Sequence, residues 1–177
     1  MWVACFSYSG SELASVCEKL GMWPDVILTN QKDASKIDKR LTKSETWKNG
    51  IFTTAEYINE ELYGIKLERP DTLVTLHGYN RIIPEESILK NMFNVHPGDI
   101  IKYPELKGKH PQEKALELGL DSTGVIIHRV DTGVDTGEIQ LFMDYQIKNH
   151  DTLESLIEEL RNIAVNLWSM LIKQRNI

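Results

Sequence analysis

The chain has 177 residues, 41% hydrophobic and 26% charged, a balance that suits one folded domain over residues 1–177 and excludes disordered and fibrous classes. A formal net charge of −6 speaks against a nucleic-acid partner, because phosphate contacts need a concentrated basic face. No uncharged stretch is long enough to cross a bilayer and no basic flank precedes an apolar N-terminal segment, so a cytoplasmic protein with no membrane partner is expected.

Trp2 to Phe6 is an apolar run that predicts a first strand. The small polar stretch Ser7 to Ser11 follows, then a helical pattern through Leu13, Val16, Cys17 and Leu20. Cys5 and Cys17 lack metal-type spacing and read as reduced thiols. Asp25 to Leu28 reads as a second buried strand, and the lysine-rich segment from Asn30 to Gly50 as an exposed connection. Thr53 to Leu62 predicts a helix, with Ala55, Ile58 and Leu62 on one face. Asp71 to Leu76 predicts a strand, and Pro84 to Leu89 a short helix begun by its proline.

Met92 to His96 is a further strand, stopped by Pro97-Gly98. Pro111 to Leu118 is helical, with Gly119 as the stop signal. Gly124 to Val130 and Glu138 to Ile147 read as two strands joined by the turn-rich segment Asp131 to Gly137. In the last helix, Asp151 and Glu154 suggest a capping box. The stripe Leu153, Leu156, Ile157, Leu160, Ile163, Ala164, Leu167, Trp168 and Leu171 suggests docking on a sheet. This order predicts an α/β fold: a Rossmann-like, mostly parallel sheet with an antiparallel edge, binding ligands at the carboxyl ends of its strands.

Two segments can carry chemistry. In Phe93-Asn94-Val95-His96-Pro97, strand alternation sends Asn94 and His96 to one side and Val95 to the other. An amide beside an imidazole suits acyl transfer, the amide holding a developing oxyanion and the imidazole moving a proton. The second segment, Asp131-Thr132-Gly133-Val134-Asp135-Thr136-Gly137, must fold sharply and can push a carboxylate toward His96, favouring the imidazolium form. Taken singly, the first also fits a satisfied core histidine with a turn-capping asparagine, and the second a hairpin with solvated aspartates.

Together with Lys102-Tyr103-Pro104 and Gly124-Val125-Ile126-Ile127-His128, these segments resemble the signature of the folate-dependent formyltransferases. The likeness runs along nearly the whole chain. It includes Phe6-Ser7-Tyr8-Ser9-Gly10-Ser11-Glu12-Leu13, similar to the family's phosphate-binding first turn, and Leu76 to Pro84, similar to the segment lining its folate pocket. Its pattern is closest to the glycinamide ribonucleotide formyltransferases.

The resemblance implies 10-formyltetrahydrofolate as co-substrate, no metal, and a small amine acceptor resembling glycinamide ribonucleotide, with a place in purine biosynthesis. It implies that Asn94 holds the formyl group, that His96 is the general acid, and that Asp135 orients it. Asn80, Arg81, Ile82, Ile83, Asn94 and Asp131 would line the folate site, and Gly10, Ser11 and Glu12 the acceptor site. His128 would support the catalytic strand, and His110 would touch substrate or sit in an exposed turn.

Glu12 stands where the ribonucleotide-using members carry a neutral amide. It has two readings: a capping box with Ser9, which is favoured and leaves phosphate free to bind, or a charge facing the pocket. Amino-sugar nucleotide formylation, hydrolysis of 10-formyltetrahydrofolate and a catalytically idle folate- or nucleotide-binding module are the competing functions, and a homo-oligomer stays open. Methionyl-tRNA formylation is disfavoured by the acidic balance and by the expected lack of a second domain.

Overall fold

The computed structural model describes residues 1–43, 51–52 and 54–175. Strand β1 (Trp2–Phe6) is buried at every position and leads into helix α1 (Ser11–Leu20). Strand β2 (Val26–Thr29), the short helix α2 (Lys39–Thr42) and the two-residue strand β3 (Ile51–Phe52) follow. Next come α3 (Ala55–Glu68), β4 (Leu73–His77), β5 (Met92–His96) and α4 (Pro111–Glu117). Strands β6 (Ser122–Arg129) and β7 (Ile139–Gln146) precede the long helix α5 (Leu153–Gln174).

Among the described residues, seven strands make one sheet in the order β3-β2-β1-β4-β5-β6-β7. Pairing is parallel from β3 to β5 and antiparallel for β5–β6 and β6–β7. The mostly parallel α/β architecture with an antiparallel edge is therefore as expected. Strand β1 has β2 on one side and β4 on the other, so the order reverses there and a crevice opens beyond the carboxyl ends of β1 and β4.

Each face of the sheet carries its own core. Phe93 and Val95 of β5 belong to the layer under α1 and α5, with Leu13, Val16, Leu160, Leu167 and Trp168. Met92 belongs to the opposite layer, under α3, with Val74, Ile58 and Leu62. The predicted stripe of α5 does dock on the sheet, although Ile157 stays 37% exposed.

Several local expectations are corrected. The last helix is capped by Thr152 and Ser155, reciprocally bonded, and not by Asp151 and Glu154. Asp151 instead accepts from the Lys148 N–H and the Tyr145 hydroxyl. The Pro84–Leu89 segment is reduced to a 3₁₀ turn at Glu85–Ser87. Within the supposed exposed connection, Leu41 of α2 is fully buried, and β3 extends the sheet. A Cβ on Gly10 would come within 2.6 Å of the Leu41 side chain and 3.0 Å of Phe6, at φ +68, so the first turn admits only glycine there. The helix expected from Thr53 runs over Ala55–Glu68 with Thr54 as its cap; Thr53 and residues 44–50 lie outside the described residues.

Candidate active site

At the carboxyl end of β5, alternation puts Asn94 and His96 on the face opposite Val95. Both line a cleft of about 590 Å³, together with Asp135 and His128. His128 is directly across the antiparallel ladder from Asn94. Asp135 arrives from the β6–β7 loop with φ 52, a left-handed conformation that Asp tolerates better than most residues. The loop is held by Asp131, whose side chain accepts from the Gly133 N–H at 3.0 Å and the Thr136 hydroxyl at 2.8 Å. It closes tightly enough that a Cβ on Gly137 would lie 1.8 Å from the Arg129 carbonyl oxygen.

Asp135 is the hub. Its Oδ2 lies 3.1 Å from His96 Nδ1 and accepts from the Gly108 N–H at 2.8 Å. Its Oδ1 lies 3.3 Å from His128 Nε2. Burial opposes charge on this carboxyl, but the hydrogen bonds from His128 and His96, the charge of His96 and the Gly108 N–H together outweigh it. The carboxyl is held well below the usual carboxylate range.

The other ring nitrogens fix the orientation of both histidines. His96 Nε2 lies 2.8 Å from the Leu106 carbonyl oxygen, and His128 Nδ1 2.9 Å from the Arg129 carbonyl oxygen. Carbonyl and carboxylate oxygens only accept, so each ring satisfies both of its contacts only when doubly protonated. His128 Nε2 is also 3.3 Å from the Asn94 side-chain amide. When Nε2 donates to Asp135 it has no lone pair for an N–H. The amide oxygen of Asn94 then turns toward His128, and its NH₂ is left to the cleft.

Of the other residues singled out in the sequence, Asn80, Arg81, Ile82, Ile83 and Asp131 line the same cleft. The Asn80 N–H donates to the Ser7 hydroxyl at 2.9 Å, tying this segment to the first turn. Ile82 is 70% exposed, whereas Ile83 is buried in the α3 layer. His110 also lines the cleft and pairs with Glu113 at 3.2 Å. Gly10 and Ser11 line neither this cleft nor a smaller pocket of about 140 Å³ beside it.

Glu12 lines that smaller pocket. The capping box with Ser9 is not formed: Gly10 is the cap, without a side-chain hydrogen bond. Glu12 Oε1 instead lies 2.9 Å from His77 Nδ1 and accepts from Trp168 Nε1 at 3.0 Å. Sequence reasoning gives His128 a supporting part only and misses the polar roles of His77 and Trp168. A histidine at the end of a buried strand is the available signal for His77.

The formyl transferase family pattern matches residues 13–172. A solved phosphoribosylglycinamide formyltransferase from Bacillus halodurans superposes with a TM-score of 0.79 at 26% identity, covering 98% of this chain and 95% of that one. The human trifunctional purine biosynthetic protein adenosine-3 is 29% identical over 77% of this chain, which spans 14% of that protein's length. The methionyl-tRNA formyltransferase of Rickettsia rickettsii is 27% identical over 66% of this chain, which spans 39% of it. The chain belongs to the folate-dependent formyl transferase family.

Proposed function

We propose that the chain transfers a formyl group from 10-formyltetrahydrofolate to a primary amine of a small acceptor. The observation that carries this reading is the Asp135 carboxylate joining His96 and His128 beside Asn94, at the wall of the cleft. The cleft is within the range of about 300–1,000 Å³ common for small-molecule sites. Its lining includes the segments Asn80 to Ile83 and Asp131 to Asp135, whose backbone groups suit a flat polar ring.

The chemistry follows from what such a transfer requires. The acceptor nitrogen attacks the formyl carbon, the C–N10 bond of the donor breaks, N10 takes up a proton and the acceptor nitrogen gives one up. Negative charge develops on the formyl oxygen, where the Asn94 NH₂ supplies a fixed donor. His96 is the proton source. Its ring lines the cleft, held between the Leu106 carbonyl oxygen at Nε2 and the Asp135 carboxylate at Nδ1. Asp135 holds the ring in place and stabilises its protonated form.

Glycinamide ribonucleotide is the acceptor that the Bacillus halodurans neighbour suggests, and purine biosynthesis would follow from it. The surroundings of Glu12 speak against the phosphate of that acceptor. Spectroscopic turnover of 10-formyltetrahydrofolate with and without a panel of amines tests the proposal. Amine-dependent consumption with stoichiometric formylated product is expected. Formate release without any amine would make the protein a hydrolase instead.

A further inference from the structure

Glu12 is fixed by a chain of hydrogen bonds that crosses the sheet. Trp2 Nε1–H donates to the Thr75 hydroxyl oxygen at 2.9 Å, and that oxygen lies 2.9 Å from His77 Nε2. His77 Nδ1 then meets Glu12 Oε1, which also accepts from Trp168. A carboxylate oxygen only accepts, so His77 carries a proton on Nδ1. Thr75 is fully buried, and its hydroxyl links Trp2 to His77. Both bonds to Glu12 Oε1 therefore come from N–H donors, which hold the side chain in place against the sheet.

The Glu12 carboxylate faces a pocket beside the cleft. Glu12 lines the 140 Å³ pocket with Val95, Gln112, Leu160 and Arg161. Val95 and Gln112 also line the large cleft, so the two spaces meet at the end of β5, one on each face of the strand. The pocket is close in size to a cavity of about 150 Å³ that holds benzene, enough for a group of about six non-hydrogen atoms. Among the described residues, the bonds to Glu12 end on Oε1, which leaves Oε2 for a ligand's donors. A carboxylate in the first turn of α1 already occupies the field of that helix terminus, where a phosphate would otherwise be favoured. Arg161 offers a positive charge, but from an exposed position at the rim, where pairing is weak.

We propose that Glu12 selects the acceptor: a primary amine whose far end carries hydroxyl or ammonium donors and no phosphate. This rests on the formyl-transfer reading. The new bond joins the acceptor nitrogen to the formyl carbon and the donor's C–N10 bond breaks. N10 gains one proton as the amine loses one.

The test compares kcat/KM at saturating 10-formyltetrahydrofolate for glycinamide ribonucleotide, glucosamine and 1,4-diaminobutane, in wild type, Glu12→Gln and Arg161→Gln. At least one phosphate-free amine should exceed glycinamide ribonucleotide by about tenfold. Glu12→Gln should lower that amine's kcat/KM by about tenfold or more, mainly through KM, the scale of a hydrogen bond to a charged group. The same substitution should improve the ribonucleotide. Gln retains an oxygen for His77 and Trp168, and an unchanged melting temperature checks that the fold is intact. A wild-type preference for glycinamide ribonucleotide, or a preferred amine whose kcat/KM is unmoved by Glu12→Gln or falls equally in Arg161→Gln, overturns the assignment. Failure of the formyl-transfer reading looks different: no amine consumes the donor, and calorimetry shows no binding of a 10-formyltetrahydrofolate analogue.

Discussion

At Asp135 two physical effects pull in opposite directions, and the outcome has a pH signature. Burial alone would favour the neutral acid, but the contacts from His128, His96 and Gly108 favour the anion more strongly. Because the folded carboxyl lies below its unfolded value of 3.8, it stabilises the fold fully above that value and loses this contribution as pH falls. The stability difference between wild type and Asp135→Asn should therefore grow as pH rises from about 2 to about 5, then level off, as urea melts across that range would show. A difference independent of pH over that interval would mean that the carboxylate is not held by the two histidines. For Asn94 the expected effect is on rate. Asn94→Ala should slow turnover by about two to three orders of magnitude, the usual cost of losing one oxyanion donor. Its effect should add poorly to those of His96→Ala and Asp135→Asn, because the three side chains act as a unit.

Among the elements, β5 is the most legible. The order of its residues is enough to put Asn94 and His96 on one face and Val95 on the other, because period-two alternation is a local property of an extended backbone. Helix ends are less legible. Both Asp151-x-x-Glu154 and Thr152-x-x-Ser155 fit as caps, and the chain uses the second. Thr152→Ala should accordingly cost about 1 kcal/mol, whereas Glu154→Ala should cost well under that in a thermal melt. Glu12 escapes a sequence reading for a different reason. A local capping pattern is overruled by His77, 65 residues away, and Trp168, 156 residues away, and no sequence window contains that contest. The segment after β4 invites a further test. Arg81→Pro should weaken binding of a folate analogue by reshaping the backbone from Asn80 to Ile83, while Arg81→Lys should have a smaller effect. Equal losses in calorimetry would assign recognition to the arginine side chain instead.

Over the whole molecule, the alternation of strands and helices foretells the parallel sheet and the antiparallel edge, whereas the strand order that opens a crevice beyond β1 and β4 appears only in the fold. Nor does that alternation foretell β3 or the buried Leu41, because a two-residue strand and a single apolar contact leave no periodic signal. The crevice brings together residues from the β4 end, β5, β6 and the β6–β7 loop, so ligand binding should be coupled to global stability. A 10-formyltetrahydrofolate analogue at about a hundred times its Kd should add about 2.7 kcal/mol, raising the melting temperature by roughly 5–10 °C for a chain of this size. The central claim is that Asn94, His96 and Asp135 carry out formyl transfer in this cleft. Single-turnover quench-flow with enzyme in excess over 10-formyltetrahydrofolate and an accepted amine tests it most directly. The account predicts a fall of at least about a hundredfold in the transfer step for Asn94→Ala and His96→Ala, with donor affinity largely retained. Transfer at near wild-type rates in both variants would contradict it.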